Sequence, residues 1–352
     1  MAMTATALDN IKVNYPSLLD QYNLRVSQYG LLNKAIMYAK MGTGIISPDL
    51  VAKAANSWGR TIDIPVMSTS AGSLGTGITC TATGTDAISA FANVTYVTVS
   101  TAWTMEPTKN DQNEINYLQE WARKYTDNMD LLYNNIDAAI DTALIAALAP
   151  EAQYNSSLIG VGNKYGAFVA NRLQCSLALR PGLFNDYTSI QKADDIYGRQ
   201  DVIGSTNLES IVRELGAQGQ GNDTNTAYQF QNFDFNFTNN VTVGAASDAS
   251  MYIVPKGSFG VIFRNAPDPQ FNRNTSDGKM YSTMYDPILQ ANVDVMHYST
   301  CADINALTGN AADVAAVQEV HQIAVHYAII TPYRSGAQAK GGVIRGVDML
   351  TA

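Results

Sequence analysis

Apolar side chains at Ile115, Leu118, Ala122, Tyr125, Met129, Leu132, Ile136, Ile140, Ala143 and Ala147 recur every three or four positions. That is the period of a helix with one buried face. Asp111 and Glu114 after Pro107 form a capping-box-like start, Pro150 marks the stop, and no glycine occurs from Thr85 to Ile159. At 1.5 Å per residue the spacing predicts a helix of about 50 Å, with a bend near Asn134-Asn135. Asp127, Asp130, Asp137 and Asp141 fall on or near its other faces and read as a solvated surface rather than as paired acid/base groups.

A second pattern has period two. Thr61-Ile62-Asp63-Ile64-Pro65-Val66 alternates as a half-buried strand does, and Val94-Thr95-Tyr96-Val97-Thr98-Val99 is β-branched or aromatic throughout. Between them Met67–Gly84 is rich in Ser, Thr and Gly, the composition of a flexible tip. Two strands around such a tip predict a hairpin over residues 57–108. Arms of about 20 residues would reach on the order of 60 Å, beyond the width of one domain. An isolated two-stranded ribbon is marginal in water, so this one is expected to rest on another subunit. Trp58 and Trp103 would meet at its base, and Trp58, Ile62, Ile64, Tyr96, Val97 and Trp103 are the candidate inter-subunit contacts. The alternative is that both strands belong to an ordinary sheet.

Upstream, residues 1–56 allow one or two short helices through Leu18, Leu19, Tyr22, Leu24, Tyr29, Leu31 and Leu32, interrupted by Gly42, Gly44 and Pro48. They read either as an arm lying across other surfaces or as a small helical layer of the main body. Downstream, Gly166–Arg180 and Asn207–Leu215 read as helices. Phe233–Phe237, Met251–Val254, Gly260–Phe263, Ala291–Tyr298, Glu319–Ile330 and a short Val343-Ile344 read as strands, with a turn at Lys256-Gly257. Gln218–Asn225, Ala266–Gly278 and Leu307–Asp313 read as loops. The class is α+β.

At 352 residues the chain has room for about two domains. Only 15% of residues are charged, against about 25% in an ordinary soluble protein, which suggests either little free surface or a surface largely covered by partners. A net charge of −9 argues against gripping nucleic-acid phosphates as the main task. Cys80, Cys175 and Cys301 are too scattered for a disulfide framework and fit a reducing compartment. No signal peptide and no membrane-spanning helix is expected.

Candidate chemistry is sparse. Gly160-Val161-Gly162-Asn163-Lys164-Tyr165-Gly166 misplaces its third glycine for a dinucleotide fingerprint and reads as a turn into a helix at Ala167. Gly278-Lys279 continues with Met280, which is not a P-loop, and no GxSxG occurs. His297, His321 and His326 form no HExxH; His321 and His326, five apart on a strand, point to opposite faces and read as structural. No catalytic, metal or cofactor-binding residue is assigned. Tyrosine, 19 residues against 10 phenylalanines, is plentiful and is enriched where proteins meet.

Taken in order, these segments resemble the major capsid proteins of tailed bacteriophages, the Hong Kong 97-like fold. The likeness is carried by Arg60-Thr61-Ile62-Asp63-Ile64-Pro65, by Leu131–Leu148, and by Asn207-Leu208-Glu209-Ser210-Ile211-Val212 running on through Phe233-Asp234-Phe235. Met251-Tyr252-Ile253-Val254-Pro255-Lys256-Gly257-Ser258 and His326-Tyr327-Ala328-Ile329-Ile330-Thr331-Pro332 complete it. The resemblance implies an N-terminal arm over 1–56 and an extended loop over 57–108. It further implies a peripheral domain with the spine helix over 109–154 and 286–331, and an axial domain over 155–285 and 332–352. The implied function is self-assembly into pentamers and hexamers of an icosahedral head, located in the virion and, during assembly, in the host cytoplasm. Implied partners are further copies of the chain, separate scaffolding, portal and decoration proteins, and packaged double-stranded DNA held without sequence readout; no membrane is involved. Some relatives weld neighbouring subunits through a loop lysine. Here no lysine lies between Lys53 and Lys109, so no such cross-link is expected. With Met1 present and no long charged helix ahead of the arm, scaffolding is expected to be a separate protein. The alternatives are an encapsulin-like nanocompartment shell and a soluble α/β enzyme.

Overall fold

A long helix lies between two sheets, and the alternation of side chains along the strands decides which core each residue joins. The structure, a computed structural model, describes residues 29–42, 46–55, 59–67, 89–105, 114–151, 158–159, 162–193, 196–218, 232–264, 280–302, 316–332 and 344–351. Among these, the chain runs through α1 (Gly30–Met41), α2 (Pro48–Ala55), β1 (Thr61–Met67), β2 (Ser89–Thr95), β3 (Val97–Met105) and the long α3 (Glu114–Ala146). It continues through β4 (Phe168–Val169), β5 (Arg172–Cys175), a 3₁₀ turn (Leu177–Gly182), α4 (Leu183–Ala193), β6 (Gln200–Ser205), α5 (Thr206–Gln218) and β7 (Phe233–Thr238). The remainder is β8 (Ser247–Pro255), β9 (Gly260–Arg264), β10 (Met280–Asp286), β11 (Ala291–Ala302), β12 (Ala316–Ile330) and β13 (Arg345–Leu350).

The first sheet has the order β10-β11-β12-β3, with β9 also paired to the end of β12. The second has the order β4-β5-β13-β8-β6-β7, and β1-β2 form a separate antiparallel ribbon. In β8, Met251 and Ile253 enter a core with α4 and α5. Tyr252 and Val254 enter the larger core with α1, α3 and the first sheet. Both faces of β8 are therefore covered, which is why its sequence reads as an unbroken apolar run. Gly257, in the left-handed region at φ 78°, turns the chain from β8 out of the second sheet into β9 of the first.

The 33-residue α3 matches the predicted helix. At 1.5 Å per residue it is about 50 Å long. Its buried face includes Ala122, Tyr125, Met129, Leu132, Ile136 and Ile140, as expected, together with Trp121, Tyr133 and Leu144. The expectation of solvated carboxylates fails for Asp137 and Asp141, which are fully buried. They sit one position after Ile136 and Ile140, and α3 is packed from two sides there, so the buried arc is wider than one stripe.

Other expectations are revised. Residues 30–41 and 48–55 form the helical-layer alternative: Leu31, Leu32, Ala35, Ile36 and Tyr38 of α1 lie in the main core. The predicted helix over Gly166–Arg180, with its start at Ala167, is instead the β4–β5 hairpin and a 3₁₀ turn. The reversal lies at Ala170 and Asn171, with φ 49° and 62°, a pair of left-handed residues suited to a two-residue hairpin turn. The stretch Val94–Val99 is broken at Tyr96, so that β2 stays in the ribbon while β3 joins β12. Residues 97–105, 260–264 and 280–286 thus share the first sheet with 291–302 and 316–330, and the chain passes from the second sheet to the first at 256–259. The C-terminal strand runs over Arg345–Leu350, with Ile344 just ahead of it; Val343 lies outside the described residues. Of the predicted tip, residues 68–84, of the predicted loops, residues 219–225, 266–278 and 307–313, and of the predicted arm, residues 1–28, 43–45 and 56 lie outside the described residues. Among the described residues no helix is long and apolar enough to cross a membrane.

Candidate functional site

Three arrangements stand out: the root of the ribbon, a polar seam beside α3, and a histidine pair beneath the start of α3. Along β1, Ile62 and Ile64 are buried while Thr61 and Asp63 are exposed, the predicted alternation. The two isoleucines pack with Ile46, Leu50, Ala54, Ile262, Ala328 and Ile330 in a small third core, each worth about 1.5–3 kcal/mol of transfer free energy. Tyr96 pins the root: its N–H donates to Arg60 O at 2.9 Å, its hydroxyl donates to Ala54 O at 3.4 Å, and the Arg264 guanidinium lies 4.6 Å from the ring centre. Burial raises the Tyr96 phenol and Arg264 opposes the rise.

Of the candidate contact residues, Ile62, Ile64, Tyr96 and Trp103 are buried within this chain. Val97 is 49% exposed, and Trp58 lies outside the described residues. Trp103 is not at a hairpin base. It faces His321 across β3–β12 and stacks on its ring at 5.4 Å, with Trp121 and Tyr125 of α3 around it.

The polar seam ties the second sheet to α3. Asp137 accepts from Leu32 N at 2.6 Å and from Thr238 Oγ1 and Asn240 Nδ2 at 2.9 Å each. Burial raises its pKa even so. Asp141 accepts from Thr242 Oγ1 at 2.7 Å and from the Tyr252 hydroxyl at 2.6 Å. Arg172 donates to Tyr252 Oη at 2.7 Å, to Thr242 O at 2.9 Å and to Asp348 Oδ1 at 3.1 Å, and Ser250 also donates to Asp348, at 2.6 Å.

Tyrosine–carboxylate pairing recurs: Tyr29 with Asp130, Tyr38 with Asp201, Tyr117 with Glu319, Tyr133 with Asp286, and Tyr165 with Asp186. These tyrosines serve the interior, which corrects the reading of the tyrosine surplus as interface chemistry. Tyr197 and Tyr285, 71% and 61% exposed, keep that reading open for themselves.

Two of the three histidines converge. His297 of β11 and His321 of β12 are register partners with ring centres 4.6 Å apart. Glu319 lies two residues before His321 on the same face, with Oε2 at 3.7 Å from Nε2 of each ring. The three ligand atoms all fall within 4.8 Å of one another. Burial, then the neighbouring His297, lowers the His321 pKa to about 4, against an upward pull from Glu319. His326 points the opposite way, as expected, with Nδ1 2.7 Å from Thr98 Oγ1 and Nε2 2.9 Å from Asp294 Oδ2. Sequence spacing missed the cluster because its members come from two strands; the register of β11 against β12 is the signal that joins them.

No family model matches the chain and no curated protein matches it. Among solved structures it is similar to the capsid of Ralstonia phage GP4, at 11% identity over 85% of this chain and 86% of that one, with a TM-score of 0.47. A chain of Mycobacterium phage Cain is similar at 12% identity over 86% and 90%, with a TM-score of 0.46. The mature capsid of bacteriophage PhiM1 is similar at 8% identity over 85% and 84%, with a TM-score of 0.44.

Proposed function

We propose that this chain is the major capsid protein of a tailed double-stranded DNA phage, with a Hong Kong 97-like fold, and that it builds a shell rather than catalysing a reaction. The observation that carries the reading is the β1–β2 ribbon. Its strands pair with each other alone among the described residues. Its root is clamped to the body by Ile62, Ile64 and Tyr96. A two-stranded ribbon with no third strand is marginal by itself, and a fixed root gives it a set direction of reach. Such a part gains its stability by lying on a neighbour. Contacts of this head-to-tail kind close into rings, and each copy makes several of them, so individual contacts can be modest.

On this reading the first sheet with α3 is the peripheral domain, and the second sheet with α4 and α5 is the axial one. The outer face of the ribbon and Val97 make the contacts; Ile62, Ile64 and Tyr96 hold the ribbon in place, while Trp103 belongs to the body. Pentamers and hexamers of the chain form the head, with separate scaffolding, portal and decoration proteins as partners and DNA enclosed without sequence readout. Assembly takes place in the host cytoplasm and the product is the virion shell. Sedimentation velocity across a concentration series, with scaffold and salt varied, tests this: growth into large closed species supports it, and one small species at every concentration contradicts it.

A further inference from the structure

We propose that Nε2 of His297, Nε2 of His321 and Oε2 of Glu319 form a binding site for a divalent transition metal, best matched by zinc, that braces β11 and β12 against the start of α3. Two imidazoles and one carboxylate are a donor set zinc uses, with a fourth position left for water. Zinc bonds of about 2.1 Å require ligand atoms about 3.4 Å apart in a tetrahedron. The two histidine-to-glutamate separations here are 3.7 Å and all three ligand atoms lie within 4.8 Å of one another, so side-chain rotation has to draw the ligands together to close the site.

A second observation points to a ligand independently of the clustering. Nε2 of His297 and Nε2 of His321 are buried with no partner within hydrogen-bond distance, Glu319 Oε2 standing 3.7 Å from each, and His321 is 3% exposed. Buried polar atoms are nearly always satisfied, and an exception calls for an ion or a water. The surroundings are arranged for ligand orientation. The Tyr117 hydroxyl of α3 donates to Glu319 Oε2, the ligand oxygen itself, and the Trp103 and Trp121 rings lie 5.4 and 6.2 Å from the His321 ring. Hydrogen bonds of this kind behind a ligand tune affinity. The inference rests on these residues and is independent of the capsid reading.

The test is isothermal calorimetry with zinc chloride on the full chain after dialysis against a chelator, paired with zinc-edge X-ray absorption on the loaded wild type. The expected result is one zinc per chain, a spectrum with two imidazoles and an oxygen donor, and a rise in melting temperature on loading. His297→Gln and Glu319→Gln lose the binding, Tyr117→Phe weakens it about 10–100-fold, and His326→Gln, on the opposite face, retains it. Far-UV circular dichroism of the metal-free variants establishes that they fold; where one does not, the wild-type absorption spectrum decides. No zinc uptake by the folded wild type, a spectrum without the imidazole pair, or unchanged affinity in both His297→Gln and Glu319→Gln would overturn the proposal.

Discussion

Tyr252 joins an unusual set of obligations in one side chain: it donates to Asp141, accepts from Arg172 and packs in the main core between the sheet and α3. Replacing it by Phe keeps the ring and removes one hydrogen bond from each partner. The expected loss is about 1–3 kcal/mol, read as a lower midpoint in urea with an unchanged slope. The same chemistry sets the alkaline limit of the protein. Burial first, and then a neighbouring carboxylate, push the phenols of Tyr38, Tyr117, Tyr165 and Tyr252 above their usual value near 10. These groups keep their protons in the folded state at a pH where the unfolded chain releases them. Their stabilisation is complete below pH 10 and is lost as pH rises beyond it. A spectrophotometric titration is expected to show these tyrosines ionising together with the loss of far-UV dichroism. Their ionisation near pH 10 with the fold intact would refute this. The pairs also explain how a chain with 31 acidic and 22 basic residues buries carboxylates: phenols satisfy them where cations are too few.

Between elements, α1 comes close to the backbone of the edge strand β7. A Cβ added at Gly30 would lie 2.8 Å from the Phe237 carbonyl oxygen, a backbone atom with no rotamer to yield. Gly30→Ala is expected to cost about 1–3 kcal/mol and to lower the melting temperature by several degrees. An unchanged melting curve would mean that α1 does not seat on β7 this way. Much of this level was legible in the sequence. The period of α3 and the alternation of Ile62 and Ile64 carried their own geometry, and the run at Met251–Val254 announced a strand covered on both faces. What escaped depends on partners far away in the chain. Asp137 and Asp141 look solvated by helical phase and are buried because a second sheet closes over that side of α3. The strand β13 takes its place between β5 and β8, which no local pattern in Arg345–Leu350 announces. The hairpin turn at Ala170-Asn171 lacks the glycine that usually marks one. Likewise, His297 and His321 look unrelated until the register of β11 and β12 sets them face to face.

For the whole molecule, the division of labour is between a body with its own interior and a ribbon whose strands find no third partner among the described residues. The body holds two large cores joined through the shared strands β6 and β8, whose alternate residues serve one core and then the other. The ribbon root is anchored by burial and by the Tyr96–Arg264 contact, and on the proposed reading its use lies in what it touches beyond this chain. The sequence has no lysine between Lys53 and Lys109, so any hold the ribbon takes on a neighbour is expected to be noncovalent at lysine. Assembled material should then run as a single monomer band on a denaturing gel; a ladder of covalent multimers would contradict that. The central claim, that the ribbon is completed by a second copy in a closed shell, is met most directly by cryo-electron microscopy of the purified protein. The account predicts shells or rings of five and six in which density for β1 and β2 continues across the neighbouring subunit. A uniform small species, with the ribbon folded back on its own body, would contradict it.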